Sequence, residues 1–174
     1  MALRTDKWNA RYVTTAGLLV SCGLVLHYAE SLIPVFQVLP GGKLGLANVV
    51  TLLAFSWYGA GFALLVGLLR CLLSSLFSGA LTMMFYSGAG TILSIVAMAC
   101  LKKLFPSKIS TVGRSMLGAF FFNAGQTAVC ALVLENVYVF SYLPVLTILA
   151  AICGLLTGIA AKQIESLILS PRRQ

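Results

Sequence analysis

The sequence is nearly without acid. Four acidic residues stand among 174, and only one of them, Asp6, is an aspartate. An aspartate-rich magnesium site, which would neutralise a departing diphosphate, cannot be assembled from that supply. Histidine is just as scarce: His27 is the only one, so no Ser-His-Asp set is plausible. No Walker-type glycine-lysine loop is present, so the chain does not drive transport with an ATPase of its own. The five cysteines (Cys22, Cys71, Cys100, Cys130, Cys153) stand singly in apolar runs without CxxC spacing. They read as small buried hydrophobes, not as a disulfide framework or a zinc site. No catalytic residue, metal ligand or cofactor is expected, and most enzyme readings end here.

Charge of either sign is thin. Charged residues make up 9% of the chain and hydrophobic ones 60%, against about 25% charged in ordinary soluble domains. A water-soluble core cannot hide that much apolar surface, so the class is integral membrane protein. The net charge of +8 does not point to nucleic acid, because the basic residues form no stripe. They gather at the ends of apolar segments, as cytoplasmic flanks of membrane helices do.

A helix needs about 20 apolar residues to cross a bilayer. Six candidates are expected, over about 12–33, 44–57 (short), 62–77, 81–101, 115–134 and 142–161, the last followed by a short amphipathic tail. The apolar run after the basic N-terminus has no A-x-A-like cleavage site and is expected to be a retained helix. The connections are too short for a soluble domain. The expectation is therefore an all-α membrane protein, a six-transmembrane-helix bundle forming a single integral membrane domain over 1–174. With both termini in the cytoplasm, the inner segments hold Arg4, Lys7, Arg11, Lys102, Lys103, Lys108, Arg114, Lys162, Arg172 and Arg173. The positive-inside rule selects that orientation. It leaves Lys43 as the single basic residue of the outer loops and Arg70 inside the third helix.

Polar groups at membrane depth are costly and mark function or helix pairing. Glu30 and His27 lie toward the outer end of the first helix, Asn48 at the start of the second, Arg70 within the third, and Asn123 and Gln126 in the fifth. All fall between mid-depth and the outer surface, which suits a polar cavity opening outward. Glu30 and Arg70 read either as a buried ion pair or as part of a binding site. Asn123 and Gln126 read as interhelical hydrogen bonds or as ligand contacts. Lys43 lies in "LPGGKLGLANVV" (39–50) among Gly41, Gly42 and Gly45, just before a helix start, a setting that suits an anionic group. Small residues four apart, such as Gly17 and Ser21 or Gly154 and Gly158, allow backbones to approach closely. They serve packing within the bundle or docking of another membrane protein, and Ala16, Gly17 and Ser21 best fit docking.

Together "ESLIP" (30–34), "PGGKLGLANVVTLLAF" (40–55), "LLRCLLSSLFSG" (68–79), "YSGAG" (86–90) and "NAGQ" (123–126) resemble the Gx transporter family. Its members are often labelled heptaprenyl diphosphate synthase component I. One departure is Gly42, where the family pattern has a bulkier residue. The family is similar to the substrate-binding S components of energy-coupling-factor (ECF) transporters. The resemblance implies an S-component-like six-helix bundle in the bacterial cytoplasmic membrane that captures a small molecule from outside. It also implies partners: a transmembrane coupling subunit, met through small residues of the first helix, and two ATPase subunits. The implied cargo is a flavin or an isoprenoid or quinone precursor. Lys43 and Arg70 would hold negative charge, Asn48, Asn123 and Gln126 would orient polar groups, and Glu30 would position Arg70. With a single aspartate, the synthase label is not expected to describe the chemistry; a membrane subunit of isoprenoid synthesis and an assembly subunit of a redox complex are the alternatives.

Overall fold

The computed structural model describes residues 10–32, 47–105 and 109–169. Its elements are α1 (Ala10–Ser31), α2 (Asn48–Tyr58), α3 (Ala60–Phe77), α4 (Thr82–Leu104), α5 (Thr111–Val133), a 3-10 helix (Val137–Tyr142) and α6 (Leu143–Leu169). No strand occurs among the described residues. Five segments are long and apolar enough to cross a membrane: α1, α3, α4, α5 and the stretch Val137–Leu167. The chain is therefore a multi-pass membrane protein of the all-helical bundle class.

Helix ends differ from the expectation for identifiable reasons. Apolar counting starts the fifth helix near 115, but the helix begins at Thr111 because Ser110 caps it, its hydroxyl accepting a hydrogen bond from the Gly113 N–H at 3.2 Å. Counting also ends the sixth helix near 161, at the first charge. The helix runs on to Leu169, since Lys162, Gln163 and Glu165 are good helix formers. The stretch expected as a separator, Tyr58 to Gly61, does break the chain. Gly59 sits at φ 90°, ψ −172°, a conformation open to glycine and rarely to other residues. Its N–H donates to the Phe55 carbonyl at 3.0 Å and its own carbonyl accepts from Ala63 at 3.1 Å, so one helix closes where the next begins.

The short helix is the innermost. Every residue from Val49 to Phe55 is buried, as befits a helix that is apolar on all sides. It packs on α1, α3 and α6, while α3, α4, α5 and α6 pack each on the next. With 11 residues and a rise of about 1.5 Å each, α2 covers only about half of a bilayer core. Asn48 and Arg70 are equally far along the chain from Gly59, so the start of α2 comes level with the middle of α3.

The α4–α5 and α5–α6 contacts are backbone-close. A side chain at Gly125 would meet the Gly90 Cα at 2.9 Å; one at Gly154 would meet the Met116 Cα at 2.5 Å, and one at Gly158 the Val112 Cα at 2.7 Å. Ser115 and Thr157 share a hydroxyl hydrogen bond of 2.7 Å across the same seam. For Gly154 and Gly158 the small residues therefore serve packing within the bundle. α1 is held more lightly, with Val13, Leu18, Val25, Tyr28 and Leu32 exposed along its outer side.

The two ends of the bundle differ in chemistry. At the Gly59 end, Phe62 stacks with Tyr58 and Tyr12 at ring-centre distances of 4.4 and 4.6 Å, and Lys102 Nζ lies 5.4 Å from the centre of the Phe55 ring. Every described lysine and arginine except Arg70 belongs to this end. Replacing Gly154 with alanine is expected to lower stability by about 1–3 kcal/mol, the usual cost of overpacking. At Gly17, where a side chain would meet nothing within 4 Å, the same change should stay within about 0.5 kcal/mol. Thermal unfolding of the two variants in one detergent compares them.

Candidate functional site

Opposite the aromatic end, five helices converge on a small cavity whose lining residues are His27, Glu30, Ala47, Asn48, Arg70, Cys71, Ser74, Ser87 and Phe122. Its free volume, about 10 Å³, admits roughly one water molecule. The C-terminal end of α1, the start of α2, the second half of α3, the start of α4 and the middle of α5 each contribute. The brevity of α2 places Asn48 at cavity depth instead of at the membrane surface.

Arg70 and Glu30 carry the charge. Both are 5% exposed, and they share the cavity although they come from different helices. The room for Arg70 comes from Gly23 on α1: a side chain there would meet the Arg70 Cδ at 2.9 Å. The aliphatic stem of the arginine thus fills the notch that glycine leaves, and the guanidinium is carried past it to the cavity. Its Nη2 approaches the Cys71 sulfur at 3.9 Å, and that sulfur lies 3.4 Å from the Thr91 hydroxyl. Thr91 in turn donates to the Ser87 carbonyl at 2.8 Å. Behind the charge, then, stands a short polar wall joining α3 to α4. Such an arrangement can hold a small anionic or hydrogen-bonding group at mid-depth.

The expected site residues divide. Glu30, Asn48 and Arg70 meet at the cavity, and His27 joins them. Asn123 does not line it: its Nδ2 donates to the Leu146 carbonyl on α6 at 3.0 Å, which ties two helices together. Gln126, one turn further along α5, is 3% exposed, packs against Gly90, and has no partner for its Oε1 among the described residues. Lys43 lies outside the described residues. Of the three expected docking residues, Ala16 is 8% exposed and belongs to the core, so it does not share a face with the other two. Gly17 and Ser21 are exposed, and the Ser21 hydroxyl is satisfied by the Gly17 carbonyl at 2.9 Å.

Gly23, Cys71, Ser74, Ser87 and Phe122 were not anticipated. Serine, cysteine and glycine are ordinary in membrane helices, so nothing local marks them. The available signal was spacing: Ser74 is one helical turn from Arg70, and Gly23 one turn before His27. Among the described residues no three of His, Cys, Asp and Glu converge as metal ligands would.

A family model described as heptaprenyl diphosphate synthase component I matches residues 19–164, a span that contains every cavity residue. No curated protein and no solved structure matches the chain.

Asn123 and Gly23 separate packing from binding. Asn123→Ala is expected to lower stability by about 1 kcal/mol through loss of its hydrogen bond and to leave ligand-induced stabilisation intact. Gly23→Ala should weaken that stabilisation, because the added methyl pushes on the Arg70 stem. Thermal shifts of both variants, with and without ligand, read the difference.

Proposed function

The chain belongs to the heptaprenyl diphosphate synthase component I family, and from that premise we propose that it is the substrate-binding membrane subunit of a small-molecule transporter. The observation that carries this reading is the pair of charged residues, Glu30 and Arg70, buried at one cavity in the interior of an otherwise apolar bundle. Ionisable side chains at such depth mark substrate or ion pathways in membrane proteins. In this proposal Arg70 receives the negative or electron-rich part of the ligand, Asn48 and Gln126 orient its polar groups, and Glu30 fixes the guanidinium. Lys43, the outer-loop lysine, draws anionic ligands toward the mouth.

Orientation follows from charge. The Gly59 end carries Arg11, Lys102, Lys103, Arg114 and Lys162, so it faces the cytoplasm and the cavity lies toward the outside of the bacterial cell membrane. Energy comes from partners, an ECF-type transmembrane coupling subunit with two ATPases, as the likeness to S components implies. The lightly held α1 is the element on which that subunit docks, through the open face bearing Gly17 and Ser21. A cavity with room for about one water is too small for an organic ligand, so the site widens as the ligand enters. Rocking or toppling of the bundle then presents the site to the other side. The cargo class is a flavin or an isoprenoid or quinone precursor.

The family description favours a second reading, a membrane subunit of a diphosphate-forming synthase. Against it stands the supply of acid: one aspartate in the whole chain, where metal-assisted diphosphate chemistry calls for several carboxylates. A thermal-shift screen of flavins and quinone precursors on the purified protein separates the two. The transporter reading expects one class to raise the melting temperature, and Arg70→Ala and Lys43→Ala to remove that rise. Diphosphate turnover abolished by a chelator would establish the synthase reading instead.

A further inference from the structure

Among the described residues, two buried polar atoms within a helical turn of cavity-lining residues have no hydrogen-bond partner: Gln126 Oε1 and Thr51 Oγ1. Both side chains are almost fully enclosed, at 3% and 4% exposure. Their lack of partners stands out against their neighbours. The other buried threonines, Thr91, Thr127 and Thr157, each donate to a carbonyl three or four residues back. Asn123, the other buried amide of α5, is bonded to α6. Orphaned buried acceptors are rare in folded proteins, and within a bilayer no bulk water is at hand to complete them.

Gln126 is also placed where a ligand would meet it. A side chain at Gly90 would touch the Gln126 Cγ at 3.0 Å and the Phe122 Cδ2 at 3.1 Å. Gln126 and Phe122 therefore lie side by side against α4, and Phe122 is a wall of the cavity. Gln126 itself does not line the cavity, which has room for about one water. Any organic ligand must enlarge that space. Phe122 is an aromatic wall of it, and Gln126 stands beside that ring. Thr51, one turn along α2 from Asn48, offers a second uncompensated group.

We propose that Gln126 recognises the ligand by accepting a hydrogen bond from it through Oε1. The molecule carried then has an N–H or O–H donor on its polar head, as an imide or a phenol has, and is not a bare prenyl diphosphate. This rests on the small-molecule-binding reading and narrows it. Charge at Arg70 selects the electron-rich side of the head group, and Gln126 selects its donor edge. A methionine at position 126 would fill the same length without an orphaned acceptor, so the glutamine carries a cost in the empty protein.

Matched probes test this on the full-length protein in detergent. Lumiflavin and 3-methyllumiflavin differ in one imide N–H, and 4-hydroxybenzoate and 4-methoxybenzoate in one phenol O–H; farnesyl diphosphate supplies anionic charge without a donor. The donor-bearing member of one pair should bind more tightly than its methylated partner by about tenfold, the scale of leaving one buried acceptor unpaired. Gln126→Met should abolish that difference and raise the melting temperature of the ligand-free protein. Equal binding within both pairs, or no binding by either donor-bearing probe, overturns the proposal, as does a lowered melting temperature of ligand-free Gln126→Met. Binding of farnesyl diphosphate that Arg70→Ala removes would uphold the binding site while refuting the donor rule. Absence of binding by all five probes would tell against both.

Discussion

A guanidinium held in the interior of a membrane bundle is the constraint on which the rest of this structure depends. Arg70 is 5% exposed, and a charge in that position needs both room and polar company. Gly23 gives the room, since its missing side chain leaves a notch for the arginine stem. Cys71, Thr91 and Ser87 give part of the company, through sulfur and hydroxyl contacts that join α3 to α4. Glu30 and Asn48 complete the ring of polar groups from α1 and α2. Each of these features is costly or idle without the arginine, and together they make a cavity.

The packing divides the bundle into a tight part and a loose part. The tight part comprises α4, α5 and α6, where Gly90 and Gly125 meet across one seam and Gly154 and Gly158 abut α5 across the other. Helices that touch at backbone distance have little freedom to slide without losing those contacts. α1 has no such seam beyond Gly23, and it shows more apolar surface to its surroundings. The cavity lies where the two parts meet, with His27 and Glu30 supplied by the loose helix and Ser87 and Phe122 by the tight part. That division suits a site that opens by movement of α1 while its back wall stays fixed.

The fold was largely legible in the sequence because a bilayer demands long apolar runs, and those are visible without a structure. The separator at Gly59 was legible for a similar reason, glycine being needed where two helices reverse direction. Helix ends were less so: Ser110 as a cap and the polar but helix-prone Lys162 to Glu165 fall outside any count of apolar residues. At the site, the charged members announced themselves by their depth. Asn123 and Gln126 were indistinguishable as residue types, and their roles part only because one amide donates to the Leu146 carbonyl and the other leaves its Oε1 without a partner among the described residues. Ala16 illustrates a limit of four-residue spacing. It adjoins Gly17 in sequence, but about 100° of helical rotation turns one into the core and the other outward. Gly23 and Ser87 carried no local mark, since their meaning depends on which side chain arrives opposite.

The central claim is that the cavity around Arg70 holds a small molecule. Mass spectrometry of small molecules released from the purified protein, run in parallel on the wild-type chain and on Arg70→Met, tests it most directly. Methionine keeps an unbranched apolar stem beside Gly23 and removes the charge, so the bundle should persist. The account predicts one small molecule in near-equal amount to the wild-type protein and its loss from the variant. Equal recovery of that molecule from both proteins, or none from either, would contradict it.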